Sequence, residues 1–190
     1  LWVANGLNIL LDPLLIFGSA ANGSGRVYST AVSLLPGGRG DGQPITTLIE
    51  LEAGTQPAHY FAGHAAQTLL LAGNAGYGLL ARVGDLTARQ RSGKAFLTLE
   101  AGEQWLPPAL ASAGMLGDQV GCLSSQGRLL VFPLSELKVQ PNGGRGLTLM
   151  DLEPRDTLAS VAVFAQALRI EGTGRGGKAR DEVLKGASLA

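Results

Sequence analysis

Residues 68–81 read TLLLAGNAGYGLLA. The stretch opens with a short apolar run, passes through a turn at Gly73–Gly76 and returns as a second apolar run, Tyr77–Ala81. Both runs have the length of a β-strand, and a glycine-containing turn bounds them. Asn74 and the glycines supply the positive φ that a tight hairpin needs. The stretch therefore predicts a β-hairpin.

The same pattern recurs along the chain. Further apolar runs lie at Leu14–Phe17, Val120–Leu123 and Val161–Phe164, and each is followed by a cluster of turn residues. Second strands return at Arg26–Tyr28 and Arg128–Phe132. Helical periodicity is scarce, so we expect an all-β protein with a hairpin in each repeat.

Three series of glycines recur in the same order and fix the period. They are Gly25, Gly76, Gly127 and Gly177 (51, 51 and 50 apart), Gly6, Gly54 and Gly102 (48 apart), and the box glycines Gly40, Gly93 and Gly146 (53 apart). A single coincidence means little in a chain with 28 glycines among 190 residues, but three ordered series mean more. A period near 50 residues predicts four-stranded blades arranged radially.

We expect a single domain over residues 1–190, forming a partial disc of about 3.5 to 4 blades. Leu1–Val3 has the pattern of a closing strand, which makes the first blade incomplete. The fourth repeat is expected to reach its box near about position 199, so the last blade is cut short. Because the sequence starts at Leu1 without a methionine, we expect it to be part of a longer protein.

Composition excludes several classes of protein. The 15 basic and 15 acidic residues cancel, which excludes a bulk-basic nucleic-acid coat and an acidic disordered tail. The single cysteine, Cys122, excludes an internal disulfide framework and suits a reducing compartment. The most apolar stretch, Ile9–Phe17, contains Asp12 and Pro13 and is far shorter than the ~20 residues of a membrane span.

No catalytic centre or metal site is predicted. Gly172–Ala179 approaches a phosphate-binding loop but ends in alanine where Ser or Thr holds magnesium, so a basic hairpin tip is favoured. His59 and His64 have no acidic or cysteine neighbours at ligand spacing. Cys122 lies in an apolar strand as a small core residue, and Trp105 is expected to be a packing anchor.

The basic residues are more informative by position than by number. Glycine-rich boxes allow backbone N–H groups to approach phosphate, and an adjacent arginine adds bidentate contacts. Repeated once per blade on one rim, such boxes form a curved cationic track for a bent duplex. The candidate DNA contacts are Arg39, Arg82, Arg89, Arg91, Lys94, Arg145, Arg175, Lys178 and Arg180. The alternative, which stays open, is that each box is an inter-blade turn with a solvated arginine.

Several segments resemble a known family. They are Gly25–Tyr28, Gly38–Pro44, Gly76–Gly78, Asp85–Ala95 and Val131–Leu137, and their order is specific. Together they resemble the C-terminal domain of the A subunit of bacterial DNA topoisomerase IV. The resemblance implies a β-pinwheel, a propeller-like disc whose rim binds and bends double-stranded DNA. If the boxes are DNA contacts, we expect Arg39, Arg91, Lys94 and Arg145 to occupy equivalent places on successive blades.

The resemblance places this domain in an ATP-dependent type IIA topoisomerase, where it presents DNA for decatenation and supercoil relaxation. The family's catalytic tyrosine lies outside this chain, so the domain itself is expected to be non-catalytic and to hold no cofactor. Other regions of a cytoplasmic, nucleoid-associated enzyme are expected to engage ATP, magnesium, the B subunit, and a second copy of the A subunit. The degenerate box Gln90–Ala95 favours topoisomerase IV over a gyrase A-subunit wrapping domain, and weak bending over tight wrapping. The neutral charge keeps a third class open, a propeller for protein interaction only.

Overall fold

A computed structural model describes residues 13–21, 23–31, 34–35, 43–111, 118–173 and 177–185. The strands are β1 (Pro13–Ser19), β2 (Arg26–Ala31), β3 (Gln56–Ala62), β4 (Thr68–Ala72), β5 (Tyr77–Arg82), β6 (Lys94–Ala95), β7 (Ala109–Ala111), β8 (Gln119–Ser124), β9 (Leu129–Pro133), β10 (Leu147–Thr148), β11 (Leu158–Phe164), β12 (Ala167–Thr173) and β13 (Ala179–Lys185). Helix within these residues is short: one α-helical turn, α1 (Val83–Leu86), and 3₁₀ turns at Ile45–Thr47 and Leu134–Glu136. The all-β prediction is confirmed.

The strands form four antiparallel sheets. Sheet I has the order β3-β1-β2-β6, sheet II the order β10-β5-β4-β7, and sheet III the order β11-β8-β9. The ribbon is the two-stranded sheet β12-β13. The predicted hairpins are present as β1-β2, β4-β5, β8-β9 and β12-β13. Four-stranded blades are therefore confirmed in sheets I and II.

Sheets I and II each contain a strand taken from further along the chain. β6 follows the hairpin of sheet II in sequence but pairs with β2 of sheet I, through Val27↔Lys94 and Arg26↔Ala95. β10 likewise follows the hairpin of sheet III but pairs with β5 of sheet II. We call β6 and β10 the exchanged strands. Because each connects two repeats, neighbouring sheets are interlocked and cannot separate without breaking backbone hydrogen bonds.

Two sequence interpretations of the strands were wrong. Val161–Phe164 was expected to precede the fourth hairpin turn, but it belongs to β11, which pairs with β8 at the edge of sheet III. The strand that leads into the fourth turn is β12. In the first hairpin, Gly23 rather than Gly25 has the positive φ, of 82°. Gly25 is needed for close approach, since a Cβ there would lie 1.5 Å from the carbonyl oxygen of Leu97.

The hydrophobic core lies between the sheets. On the strands of sheet II, Leu69 and Leu71 pack toward sheet I, whereas Leu70 and Ala72 pack toward sheet III. Both faces of this hairpin are therefore buried, which explains why its sequence is continuously apolar instead of alternating. A buried leucine contributes roughly 1.5–3 kcal/mol, so these two interfaces hold the repeats together.

Trp105 is the main aromatic anchor between sheets I and II. Its ring centroid lies 5.1 Å from that of Phe17, edge to face. Its indole Nε1 donates to the carbonyl oxygen of Ser24 at 3.1 Å, and its own carbonyl accepts a bond from His59 Nε2. The predicted packing role of Trp105 is confirmed. Among the residues that the structure describes, no helix has the length and apolar character needed to cross a membrane.

Three equivalent four-residue turns expose a strained position. Backbone N–H to carbonyl bonds close the turns Glu52–Thr55, Glu100–Glu103 and Glu153–Asp156, at 2.9, 3.0 and 2.9 Å. The third residue of each turn has a positive φ: 79° at Gly54, 86° at Gly102 and 74° at Arg155. This is the geometry of a type II turn, which favours glycine. Arg155 is the only non-glycine residue with positive φ among those described.

Replacing Arg155 by glycine should therefore stabilise the protein. Relief of the left-handed strain is worth about 1 kcal/mol, part of which the greater freedom of the unfolded chain offsets. A Gly54→Ala variant is the matched reverse, because nothing lies within 4 Å of its added Cβ and only the backbone conformation is affected. Thermal unfolding of both variants should show shifts of opposite sign. A destabilised Arg155→Gly protein would contradict the strain argument.

Candidate nucleic-acid interface

The box glycines stand at the start of the exchanged strands. Gly93 precedes β6 and has a φ of 65°, and Gly146 precedes β10 and has a φ of 82°. A Cβ would lie 2.6 Å from the carbonyl oxygen of Val27 at Gly93, and 2.1 Å from that of Gly78 at Gly146. The 53-residue spacing thus marks where each exchanged strand meets its hairpin. The described boxes require glycine for sheet pairing, whatever else they contact.

Arg145 is held in an ion pair. Its Nη2 donates to Glu103 Oε1 at 2.6 Å and its Nη1 to Glu103 Oε2, which makes a bidentate contact. Nη1 also donates to the carbonyl oxygen of Thr98 at 3.2 Å, and the guanidinium lies 4.3 Å from the centre of the Tyr77 ring. These contacts leave 28% of the side chain exposed.

Arg26 plays the corresponding part at the first exchanged strand, from the opposite side. It starts β2, and its Nη1 donates to the carbonyl oxygens of Ser92 and Gly93 in the box, at 3.0 and 3.3 Å. Its Nε pairs with Glu52 Oε2 at 3.2 Å. We call the Arg26 and Arg145 contacts the arginine clasps, because each joins a box to the hairpin that receives its strand.

The expected equivalence of Arg91, Lys94 and Arg145 was wrong. The pairs Val27↔Lys94 and Gly78↔Leu147 place Lys94 opposite the position of Leu147 in the next repeat. Arg145, which precedes Gly146, corresponds to Ser92. The mismatch arises because the basic residues were grouped by charge, although the 53-residue spacing of the box glycines already places Ser92, not Arg91 or Lys94, at the position of Arg145.

Lys94 is partly buried and bonded within its own segment. Its Nζ donates to the carbonyl oxygen of Asp85 and lies 5.2 Å from the centre of the Phe96 ring. Desolvation lowers the pKa of this amine from its usual value, against the opposing effect of the Asp85 carboxylate. These contacts tie the box to the α1 turn.

Arg91 is exposed yet anchored. Its Nη2 donates to the carbonyl oxygen of Thr47 and its Nε to that of Leu48, at 2.5 and 3.1 Å. These carbonyls end the 3₁₀ turn Ile45–Thr47. No carboxylate among the described residues pairs with the guanidinium, so no ion pair compensates its positive charge.

The side chains of Arg82 and Arg89 are exposed and make no hydrogen bond or ion pair within the part of the chain that the structure describes. Arg89 and Arg91 line one groove of about 650 Å³, and no acidic residue of the described chain lines it. Arg82 is the last residue of β5 and directly precedes α1 in the same segment. The segment 82–94 therefore presents a cationic surface with Asp85 as its single acid.

The remaining candidates are distributed elsewhere. Arg39 and Arg175 lie outside the described residues, as do Gly6 and Gly40. Lys178 is exposed at the ribbon, and Arg180 pairs with Glu182 at 3.6 Å. The structure thus brings Arg89 and Arg91 to one groove but does not bring all the described candidates together.

The acidic partners of the clasps were missed in the sequence. The same tetrapeptide, Leu-Glu-Ala-Gly, occurs at residues 51–54 and 99–102; it contains Glu52 but ends one residue before Glu103. That identity was available as a signal for the two turns. The pairing of Arg145 with Glu103 was not, because the two residues are 42 apart and meet only through strand exchange.

The expected structural role of Cys122 is confirmed. Cys122 is fully buried, and burial raises its thiol pKa to about 11, so the thiolate is scarce near neutral pH. Within the described residues, no group of His, Cys, Asp and Glu side chains could hold a metal ion.

Comparisons with known proteins agree on one family. The family described as DNA gyrase C-terminal domain, beta-propeller, matches residues 118–165. The chain is 37% identical to the A subunit of DNA topoisomerase 4 from Neisseria gonorrhoeae over 84% of its own length, and 34% identical to that from Escherichia coli K12 over 68%. The matched regions cover 21% and 17% of these relatives, so the chain spans about a fifth of their length.

Solved structures show the same fold. The E. coli ParC C-terminal domain superimposes with a TM-score of 0.80 at 28% identity, covering 95% of this chain and 71% of that one. A gyrase A C-terminal domain gives a TM-score of 0.68 at 17% identity, covering 90% and 54% of the two chains. The predicted propeller-like fold is therefore confirmed.

The Glu103–Arg145 clasp should make stability depend on pH. Burial raises the pKa of Glu103, but hydrogen bonds from Arg145 and the Glu100 backbone, with the charge of Arg145, hold it below the usual value. A carboxyl pKa depressed by folding adds stability above the unfolded value of about 4.3, and this is lost as the pH falls. We expect the stability difference between wild type and Glu103→Gln to shrink below about pH 4 in urea titrations. A constant difference would contradict an ionised clasp.

Proposed function

Because the chain is homologous to the C-terminal domain of the topoisomerase IV A subunit, we propose that it binds double-stranded DNA as a non-catalytic module of a type IIA topoisomerase. It holds DNA segments for the strand-passage core of the enzyme, which uses them in decatenation and supercoil relaxation. The family relation supports this role, and the cationic surface at residues 82–94 supplies a place for it.

The observation that carries the proposal is that three arginines of one segment have no carboxylate partner among the described residues. Arg82 and Arg89 have unpaired side chains, and Arg91 is bonded only to backbone carbonyl oxygens. Phosphate contacts require cations that are not already neutralised, because released counterions drive the association. The other described box arginine, Arg145, is bound to a carboxylate. DNA contact is thus concentrated where the exchanged strand β6 joins sheet I.

A gyrase-like wrapping domain is the less supported alternative. Continuous wrapping needs cations repeated around the disc, whereas the described boxes differ in charge and in pairing. The gyrase structure supports the fold alone at 17% identity. We propose weak bending of the duplex in place of tight wrapping.

The rest of the enzyme activity is proposed to lie outside this chain. DNA cleavage, ATP hydrolysis, magnesium binding, and contacts with the B subunit or with a second A subunit belong to other regions, in a cytoplasmic, nucleoid-associated complex. The isolated domain should therefore show neither ATP hydrolysis nor DNA cleavage above a heat-inactivated sample. Either activity would overturn the assignment.

Replacing Arg82 and Arg89 together by alanine should weaken DNA binding through its salt dependence. Two lost phosphate contacts should flatten the slope of log K against log salt by about 1.8, because each releases about 0.9 counterion. Binding to different sequences should fall equally, since phosphate contacts carry no base information. The measurement is fluorescence anisotropy with a labelled duplex of about 40 base pairs between about 50 and 200 mM salt.

The matched control is Arg169→Ala with Arg180→Ala. It removes the same charge from arginines that pair with Asp181 and Glu182 on the ribbon. Its slope should change by much less than one unit. Equal losses in both double variants would indicate non-specific attraction, and a wild-type domain that does not bind duplex at all would refute the proposed function.

A further inference from the structure

The contact between Glu103 and Arg145 has the geometry of a guanidinium bound to phosphate. Two parallel N–H groups of the arginine point to the two carboxylate oxygens of Glu103. Carboxylate and phosphate satisfy the arginine fork in the same bidentate way. The group that would accept a DNA phosphate at this box is thus already occupied by an anion of the protein.

The guanidinium is also held in place without help from Glu103. The Tyr77 ring lies 4.3 Å from it, and the Thr98 carbonyl oxygen accepts a bond from Nη1. Removing the carboxylate would therefore leave an oriented, partly exposed cation, since 28% of the Arg145 side chain reaches solvent.

The fold does not need an acid at position 103. The equivalent turn of the first repeat has Thr55 at this place and closes with the same backbone bond, at 2.9 Å instead of 3.0 Å. In that repeat the box residue corresponding to Arg145 is Ser92, which has no charge to neutralise. Between these two repeats the acid and the basic box residue are thus both present or both replaced. The third equivalent turn has Asp156 at this place, and its carboxylate accepts bonds from Ser125 and Thr157 instead of an arginine.

We propose that Glu103 acts as an internal phosphate mimic, which withholds Arg145 from DNA and confines contact to the surface formed by residues 82–91. This inference rests on the proposed DNA-binding function. It assigns Glu103 a regulatory role: the carboxylate sets how many phosphates the domain engages, and so limits how far a duplex follows its surface.

The test is a gain of binding, which damage to the fold does not mimic. Glu103→Gln should add one phosphate contact and steepen the slope of log K against log salt by about 0.9. The affinity ratio of variant to wild type should accordingly be about 3.5-fold larger at 50 mM than at 200 mM salt. Glu103→Thr introduces the residue found at position 55 and should give the same gain. The probe is the same labelled duplex of about 40 base pairs.

Two controls separate this effect from general charge. Glu100→Gln removes an equal charge from the same turn without freeing Arg145, and should leave the slope within a few tenths of wild type. Glu103→Gln combined with Arg145→Ser should lose the gain, because the released cation is absent. Circular dichroism and thermal unfolding establish that each variant is folded.

The outcomes distinguish this inference from the proposed function. If the wild type binds duplex and the two Glu103 variants, both folded, keep its slope, the mimic is refuted while DNA binding stands. An equal gain in Glu100→Gln would also refute it, since the effect would then be general charge. If neither wild type nor variants bind duplex, the proposed function itself fails.

Discussion

The structure depends on the pairing of each exchanged strand with the hairpin of the preceding sheet. β6 and β10 are only two residues long, yet each places a strand from one repeat in the sheet of another. The carbonyl oxygen of Gly25 accepts bonds from the amides of Phe96 and Leu97, and that of Gly76 accepts bonds from Leu149 and Met150. The 51-residue and 53-residue glycine series are therefore the two sides of one joint. A side chain on Gly25, Gly76, Gly93 or Gly146 would push the strands apart, because each added Cβ would lie within 2.6 Å of a backbone oxygen across the joint.

The same joint determines what the basic residues are able to do. At the first joint the arginine stands on the hairpin, as Arg26, and bonds to the box backbone. At the second it stands in the box, as Arg145, and lies over Tyr77, the residue that replaces Arg26 in the hairpin. One guanidinium joins the box to the hairpin in either case, although the arginine comes from opposite sides of the joint. Arginines that serve the joint are neutralised by glutamates, so cations available to a polyanion must lie elsewhere.

Much of the fold could be predicted from the sequence because glycine is required by geometry. The hairpins of sheets I to III follow from apolar runs beside turn residues at regular spacing. Val161–Phe164 was misassigned because an outer strand and an inner strand have equally apolar sequences, and only pairing with β8 separates them. The turn at Arg155 could not be recognised, because its backbone adopts the glycine conformation without a glycine. Grouping the basic residues of the boxes by charge also failed, since the strand register follows the box glycines and not the charges.

Zero net charge does not argue against a DNA-binding surface in a protein built this way. Arg26, Arg128, Arg145, Arg169 and Arg180 are each within 4 Å of a carboxylate, and these pairs contribute no net charge to the total. A duplex would interact with the local excess of positive charge that these ion pairs leave over. Salt screens charges further away than a Debye length of about 8 Å at physiological ionic strength. Between residues 82 and 94 four cations accompany one acid, whereas between residues 133 and 147 Lys138 and Arg145 accompany Glu136, and Arg145 is already paired with Glu103. The repeats share a backbone but differ in electrostatics, and that difference localises the contact with DNA that we propose.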